Sequence, residues 1–460
     1  APTGVGKTLS ALFPAIKAMG EAKTDKIFYT TAKTITRRVT EESLDLMRSK
    51  GLSFKSLTLT AKDKICFNKG KICTPECCEY AKGHYDRVNE AMEDLYKNKE
   101  SFSREDIEQY ALKHKVCPFE LSLDLSMMAD CVICDYNYVF DPQVYLRRYF
   151  DDIQENYIFL VDEAHNLVDR SREMFSTQAE SGKLQIIKNI LEDKKGDLYY
   201  AITNACKYIY SKYETCKEKE NYIIAEEPKD LCIKMQDIMN FAEKWLVLHP
   251  PMENGYREIL DIYFDINTLL KVADNYDERY KTYVEKTQQG IVMRLMCIDT
   301  SYLMQQAISR GTSAIFFSAT LEPLDYYSDL LGGAETDNKI SIPSSFDPNN
   351  MKLLVHKGIS TKYKDRENSY EHIVDCIHNI VKSKQGNYLV YFPSYVYMQE
   401  VYSLFTRRYK DIDIIKQESR MEEIAREEFV DKFRPDNSKT LVGFAILGGI
   451  FSEGLDLKGD

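Results

Sequence analysis

The sequence lacks the features that would mark a membrane protein or a protein with a broadly basic surface. No apolar run approaches the roughly 18 residues that a membrane helix needs, so we expect no membrane partner. Basic residues are outnumbered, with 61 Lys and Arg against 72 Asp and Glu, and the formal net charge is -11. A basic groove on an otherwise acidic protein stays compatible with this balance, so nucleic-acid binding is disfavoured by composition but not excluded.

The chain also lacks a fixed-period repeat and any long low-complexity tract. Its 460 residues suggest about three domains, and 44% hydrophobic with 29% charged residues is typical of a globular protein with a large core. The sequence opens at Ala1 inside one motif and stops at Asp460 just after another. We interpret it as an internal fragment, which says nothing about targeting signals.

Short β-branched and aromatic segments alternate with helical patterns along most of the chain. This alternation predicts an α/β fold, with parallel sheets covered by helices on both faces. β-type segments are predicted at residues 27–31, 54–62, 129–140, 156–162, 312–321, 387–392 and 440–447. Residues 83–113 are helical in pattern, and residues 183–300 have few strand signals and are predicted to be a helical insertion. Two α/β units with insertions fit this pattern better than one large domain.

Residues 1–8 (APTGVGKT) form a phosphate-loop motif in which Ala1 replaces the usual first glycine. Gly4 and Gly6 let the backbone wrap phosphates with its N–H groups, and the following apolar helix adds its N-terminal dipole. Lys7 is expected to reach the β- and γ-phosphates, and the Thr8 hydroxyl to bind Mg²⁺. The residues predicted to contact the nucleotide here are Thr3, Gly4, Val5, Gly6, Lys7 and Thr8.

A second motif, Asp162-Glu163-Ala164-His165, follows the apolar run IFLV directly. Carboxylates at the end of a strand lie where α/β sheets bind ligands. We expect Asp162 to hold Mg²⁺, Glu163 to activate the attacking water as general base, and His165 to couple the ATP site to the rest of the protein. With Lys7, these residues predict a Mg²⁺-dependent ATP hydrolase.

Cysteine is abundant rather than scarce, and its distribution is uneven. Seven of the twelve cysteines lie between residues 66 and 134: Cys66, Cys73, Cys77, Cys78, Cys117, Cys131 and Cys134. A disulfide framework is not expected in so large an ATP-binding chain, which indicates the reducing cytoplasm. Clustered cysteines there favour a metal.

Four of these thiols (Cys66, Cys73, Cys78 and Cys117, the last followed by proline) could hold a [4Fe–4S] cluster. Structural zinc is an alternative, although zinc sites usually come as two close cysteine pairs. A site without metal also stays open. Cys131 and Cys134 lie in a β pattern and are expected to be core thiols.

The motifs together resemble superfamily 2 helicases: a phosphate loop, a DEAH box, and Ser318-Ala319-Thr320 after a buried strand. Longer segments resemble the XPD/DinG branch of that superfamily. These segments are Thr30-Thr31-Ala32-Lys33-Thr34, residues 129–142 (ADCVICDYNYVFDP), residues 391–394 (YFPS) and residues 448–456 (GGIFSEGLD).

The resemblance implies two RecA-like lobes that bind ATP, interrupted by an iron–sulfur module and a helical arch. It places the first lobe at 1–60, 121–182 and 301–325, the iron–sulfur module at 61–120, the arch at 183–300 and the second lobe at 326–460. It implies the cluster ligands Cys66, Cys73, Cys78 and Cys117, with Cys77 as the alternative to Cys78. It also implies that Glu453, Gly454 and Asp456 line the ATP and strand interface.

By the same resemblance, the protein is an ATP-dependent DNA helicase that moves 5′→3′ on single-stranded DNA and unwinds forked duplexes, in DNA repair or replication. The family's arginine-bearing motif VI would lie beyond Asp460, so the fragment alone is expected to bind nucleotide but hydrolyse it poorly. Three alternatives stay open. They are an RNA helicase of the DEAH type, which would not explain the cysteines, a helicase with an attached nuclease, and a nucleotide-gated DNA-binding protein that does not unwind.

Overall fold

A computed structural model describes residues 1–2, 4–32, 34–70, 73–151, 156–191, 196–216, 223–224, 227–344, 347–421 and 423–452. These residues divide into two compact units. The first comprises residues 1–33 and 39–343, and the second comprises residues 34–38 and 344–460. Residues 326–343, which the sequence analysis assigned to the second lobe, group with the first unit instead.

The strands are short and lie in three sheets. In chain order they are β1 Lys26–Thr30, β2 Ser56–Thr58, β3 Ser101–Phe102, β4 Cys131–Cys134, β5 Tyr157–Asp162, β6 Thr177–Glu180, β7 Ile223–Ile224, β8 Tyr280–Thr287, β9 Gly290–Cys297, β10 Ser313–Phe317, β11 Asn387–Phe392, β12 Asp413–Lys416 and β13 Leu441–Ile446.

The helices carry most of the remaining ordered backbone. They are α1 Lys7–Gly20, α2 Thr34–Ser49, α3 Lys62–Ile65, α4 His84–Asn98, α5 Arg104–His114, α6 Pro118–Ser126, α7 Asn137–Phe140, α8 Arg147–Phe150, α9 His165–Met174, α10 Ser181–Ile190, α11 Asp197–Cys216, α12 Lys229–Leu248, α13 Tyr256–Ala273, α14 Ser301–Ile308, α15 Leu324–Leu330, α16 Tyr370–Ser383, α17 Tyr395–Arg408 and α18 Glu423–Asp431. Short 3-10 turns occur at Pro348–Asn350, Tyr363–Asp365 and Glu367–Ser369.

A six-stranded parallel sheet with the order β10-β5-β1-β4-β2-β3 organises the first unit. Every residue of β1 and β5 is buried, because these central strands are covered on both faces and read as continuous apolar runs. Their register pairs Phe28 with Phe159, so the two strands end at the same edge of the sheet. The predicted α/β class is confirmed, and this carboxyl edge is where such sheets bind ligands.

The two faces of this sheet bury different sets of side chains. On one face, Leu12 and Ala15 of α1 pack with Ile27 and Tyr29, which anchors the helix that follows the phosphate loop. Phe28 belongs to the larger cluster on the other face and is fully buried. Burying one such aromatic side chain contributes roughly 2–3 kcal/mol, so β1 is stabilised from both sides.

The cysteine-rich segment owes part of its order to packed helices. Val88 and Leu95 of α4 and Ile107 and Ala111 of α5 are buried in the same cluster as the sheet. Residues 83–113, predicted to be helical, contain α4 and all but the last residue of α5. These helices supply core residues, while Cys66–Cys78 holds turns rather than a long helix in its described part.

Two expectations about secondary structure were wrong. Residues 129–140 were predicted to be strand throughout, but only Cys131–Cys134 is strand, and α7 follows after Tyr136. The insertion at 183–300 was predicted to be helical, but it also contains most of a four-stranded antiparallel sheet, β6-β9-β8-β7. β8 and β9 alternate buried and exposed residues only in part, and their many Lys, Glu and Met residues hide the strand period.

The second unit has a parallel three-stranded sheet with the order β11-β13-β12. Its core joins Phe392 and Phe444 of the sheet to Phe405 of α17 and Val374 of α16. No helix in the part of the chain that the structure describes is both long and apolar enough to cross a membrane.

Candidate functional site

The phosphate loop leads directly into α1. Gly4 has a φ of 77° and Gly6 has a φ of 80°, a left-handed conformation that glycine adopts without steric cost. Gly6 is the N-cap of α1, so the first N–H groups of that helix face the loop. The Lys7 ammonium lies 3.4 Å from the Ala1 carbonyl oxygen and 3.3 Å from that of Pro2, folded back across the loop. Val5 lies within the same turn, and Thr3 lies outside the described residues.

Asp162 is the last residue of β5 and is buried beneath the loop. Its Oδ2 accepts a hydrogen bond from the Tyr29 hydroxyl at 2.6 Å, and its Oδ1 accepts the Glu163 N–H at 2.8 Å. Burial raises the pKa of Asp162, and the Tyr29 hydrogen bond and the charge of Lys7 act in the opposite direction. Lys7 is therefore close enough to Asp162 for its charge to be felt there.

Glu163 has a φ of 47°, an uncommon conformation for a residue with a side chain. The Glu163 and Asp162 carbonyl oxygens both accept a hydrogen bond from the hydroxyl of Tyr136. This tyrosine is completely buried. One phenol therefore holds the backbone of both carboxylate residues.

Ser318 connects Glu163 with His165. The Ser318 hydroxyl donates to Glu163 Oε2 at 3.1 Å, and His165 Nδ1 lies 2.7 Å from Ser318 Oγ. Because the serine proton is committed to Glu163, the consistent arrangement has His165 Nδ1–H donating to Ser318 Oγ. The Thr320 N–H also donates to this oxygen, at 3.2 Å. The three motifs therefore meet at the carboxyl edge of β5 and β10.

The other family-like segments are placed less completely. Thr30 is buried at the end of β1. Tyr391 is the last residue but one of β11. Ser394 is the N-cap of α17. Lys33 of the TTAKT segment and Glu453, Gly454 and Asp456 lie outside the described residues.

The cysteine-rich segment borders a cavity of about 880 Å³ in the first unit. Cys66, Cys73 and Cys78 line this cavity, and Cys77 does not. Asn68 Nδ2 donates to Cys78 Sγ at 3.1 Å.

Cys117 is buried and lies two residues before the cavity-lining Phe119. Burial raises the pKa of the Cys117 thiol, the N–H groups of Glu120 and Phe119 lower it, and the nearby Cys73 raises it further. Its own N–H donates to Nδ1 of buried His84 at 3.2 Å. Across the described residues, no three His, Cys, Asp or Glu side chains stand close enough together to hold one metal ion. The thiols thus share a region without forming a closed ligand set.

Cys131 and Cys134 belong to β4 and are buried in the sheet core. Burial raises the pKa of Cys131 to about 12, so this thiol stays protonated at neutral pH.

Sequence reasoning missed three residues of this arrangement: Tyr29, Tyr136 and His84. The two tyrosines lie in segments that were predicted to be buried strands, and buried tyrosines usually find a hydrogen-bond partner. That expectation was the available signal for the two tyrosines. Nothing in the sequence indicated the partner of His84.

Comparison with known proteins agrees with this geometry. The DEAD_2 family matches residues 31–184, and the family described as Helicase C-terminal domain matches residues 377–460. The chain thus contains a region similar to DEAD_2 and, further along, a region similar to helicase C-terminal domains.

The similar proteins narrow the class. The chain is 21% identical to the general transcription and DNA repair factor IIH helicase subunit XPD/RAD3 of Saccharomyces cerevisiae, over 88% of this chain and 66% of that protein. It is 21% identical to the ATP-dependent DNA helicase XPD of Sulfolobus acidocaldarius, over 100% of this chain and 78% of the relative. A solved XPD helicase structure shares the fold with a TM-score of 0.54 at 16% identity, covering 100% of this chain and 78% of that one. Along most of its length the chain is thus similar to helicases named XPD.

The chain is shorter than its relatives. It spans 66% of the yeast protein and 48% of a similar helicase, CHL1 of Debaryomyces hansenii, to which it is 21% identical.

Proposed function

We propose that this protein is an ATP-dependent DNA helicase that couples Mg²⁺-dependent ATP hydrolysis to movement along single-stranded DNA and to unwinding of forked duplexes. The observation that carries the proposal is the meeting of Lys7, Asp162, Glu163, His165 and Ser318 at one edge of the parallel sheet. DNA as the substrate is supported by similar proteins that are named DNA helicases. Movement 5′→3′, a role in repair or replication and a cytoplasmic location stay part of the proposal.

In this proposal the side chains divide the work of hydrolysis. When nucleotide binds, the Lys7 ammonium would give up its hydrogen bonds to the loop carbonyls and neutralise the β- and γ-phosphates. Thr8 and Asp162 would hold Mg²⁺. Glu163 orients and deprotonates the attacking water. The hydrogen bonds from Ser318 to Glu163 and from His165 to Ser318 tie the position of this base to the strand end that carries the Ser-Ala-Thr motif.

The direct test measures ATP turnover and strand separation by the intact protein on DNA and RNA duplexes of matched sequence, with either a 5′ or a 3′ tail. Lys7→Ala should abolish both activities, while Lys17→Ala, which changes an exposed lysine of the same helix, should abolish neither. Glu163→Gln should bind ATP but hydrolyse it about 10²- to 10⁴-fold more slowly.

Each other outcome contradicts a defined part of the proposal. DNA-stimulated hydrolysis by Lys7→Ala would remove the nucleotide site. Preference for the RNA duplex would favour an RNA helicase, and strand cleavage would reveal a nuclease. Binding and hydrolysis without unwinding would leave a nucleotide-gated DNA-binding protein.

We also propose that Cys66, Cys73, Cys78 and Cys117 hold a [4Fe–4S] cluster beside the cavity. Thiolates are the ligands of such clusters, three of these thiols line one cavity, and the fourth, Cys117, comes two residues before Phe119, which lines the same cavity. Bound there, the group would cross-link the turns of the segment and supply one-electron redox chemistry.

Iron, acid-labile sulfide and zinc in anaerobically purified protein decide between the metals. About four irons and four sulfides, with broad absorption near ~400 nm, are expected. Stoichiometric zinc, or no metal, would contradict the cluster while leaving the nucleotide site untouched.

A further inference from the structure

Tyr29 places a hydroxyl group in a fully buried strand, one residue before the strand ends. The side chain has no exposed surface, and its hydroxyl donates to Asp162 Oδ2 at 2.6 Å. A buried phenol must satisfy its polar end locally, and this one does so on a carboxylate rather than on a backbone carbonyl. The contact therefore connects β1 to the functional end of β5.

The same phenol oxygen has two further neighbours. The Thr40 and Thr8 side chains lie near this oxygen and lower the pKa of Tyr29, against the effect of burial. A tyrosine hydroxyl has one proton, which it donates to Asp162, and lone pairs that can accept from a neighbouring threonine. Tyr29 is thus the centre of a small buried network, and the sheet fixes its position.

Two members of this network, Thr8 and Asp162, are the expected Mg²⁺ ligands of the proposed nucleotide site. A threonine that binds a metal through oxygen must direct its proton elsewhere, and the nearby Tyr29 oxygen offers an acceptor for the Thr8 proton. Asp162 is held at both oxygens, by Tyr29 on Oδ2 and by the Glu163 N–H on Oδ1. Each of these bonds restricts rotation of a side chain that would otherwise have to be ordered when the metal arrives.

We propose that Tyr29 is a positioning residue that pre-arranges Thr8 and Asp162 for the metal of a Mg²⁺-bound nucleotide. This inference rests on the proposed function, because it assumes that the site takes Mg²⁺ and ATP. It assigns Tyr29 no contact with the nucleotide. Its effect should therefore appear only when the metal is present.

The test is a titration of the intact protein with a fluorescent ATP analogue, once with Mg²⁺ and once with EDTA. Tyr29→Phe keeps the ring and removes only the hydroxyl. We expect the Mg²⁺-dependent gain in affinity to fall about tenfold, the equivalent of one lost hydrogen bond to a charged group. Affinity in EDTA should stay within about twofold of the wild type.

Tyr149→Phe is the matched control. It also removes a buried tyrosine hydroxyl of the first unit, one that bonds to Ser126 Oγ at 2.7 Å. It should change neither titration. If Tyr29→Phe does not fold, Thr40→Val removes one donor to the Tyr29 oxygen and should reduce the Mg²⁺-dependent gain by about two- to fivefold.

The outcomes separate the inference from the proposed function. A wild-type protein that gains no affinity from Mg²⁺ would refute the metal site itself. A normal wild-type gain that Tyr29→Phe and Thr40→Val both retain would overturn the role of Tyr29 alone. Equal weakening of both titrations by Tyr29→Phe would also overturn it, because the residue would then support the fold rather than the metal ligands.

Discussion

Replacing Tyr136 by phenylalanine should lower the rate of ATP turnover strongly while lowering the free energy of unfolding only slightly. The Tyr136 hydroxyl donates to the carbonyl oxygens of Asp162 and Glu163, the second at 3.0 Å. In this variant the Glu163 carbonyl oxygen still accepts a hydrogen bond from the Asn166 N–H at 2.9 Å. The lost hydrogen bond therefore affects mainly the Asp162 carbonyl. A buried carbonyl that loses a donor costs about 1–3 kcal/mol, and we expect the free energy of unfolding to drop by about 1–2 kcal/mol.

The larger effect should be on turnover. A left-handed residue other than glycine costs on the order of 1–2 kcal/mol, and Glu163 with its φ of 47° stays there only while its surroundings hold it. Without the Tyr136 hydroxyl, the peptide can relax and carry the Glu163 carboxylate away from Ser318. A misplaced general base should lower kcat by at least about tenfold, with little change in KM for ATP.

Urea unfolding and steady-state ATP turnover of the intact protein measure the two effects. Tyr149→Phe is again the comparison, because it should cost about 1 kcal/mol of stability and leave kcat unchanged. A Tyr136→Phe protein that is destabilised but turns over at the wild-type rate would refute the reasoning. So would an equal loss of kcat in both variants.

Three further predictions concern other parts of the first unit. Cys78→Ser should lower the iron content and the absorption near ~400 nm, whereas Cys77→Ser should preserve both; the reverse pattern would make Cys77 the ligand. Lys26→Met removes the ammonium that donates to the Ser126 carbonyl at 3.1 Å and to the Met127 carbonyl at 3.3 Å. The free energy of unfolding, measured in urea, should fall by about 2–3 kcal/mol. A decrease of less than about 0.5 kcal/mol would contradict this prediction. Burial raises the pKa of Cys131 to about 12, so its contribution to stability is complete below the unfolded thiol value of about 8.5 and is lost as the pH rises towards about 12. Comparing the pH dependence of unfolding for wild type and Cys131→Ala should show a steeper alkaline loss in the wild type, and parallel curves would refute this assignment.

The central strands were predictable because a strand that is buried on both faces has a continuous run of apolar residues in the sequence. Residues 27–31 and 156–162 were predicted as strands and differ from β1 and β5 by one residue at the ends. The position of Asp162 and Glu163 at the end of a strand was predictable for the same reason, since they follow such an apolar run directly. What could not be predicted was which core side chain contacts them.

The misses have different physical causes. The hairpin of β8 and β9 was hidden because charged residues interrupt the alternation of apolar and polar residues that predicts a strand. The strand predicted through residue 140 ended early because Tyr136 and Asn137 turn the chain into α7. The roles of Tyr29 and Tyr136 depend on pairings between residues far apart in sequence, as with Tyr29 and Asp162, which no local pattern encodes.

The short helix α6 gives the cysteine segment a mechanical connection to the sheet. It begins directly after Cys117, and the carbonyls at its other end bond to Lys26, the first residue of β1. Nine helical residues form a rod about 13 Å long. Through α6 and the hydrogen bonds of Lys26, the cysteine segment is therefore connected directly to the strand that carries Tyr29.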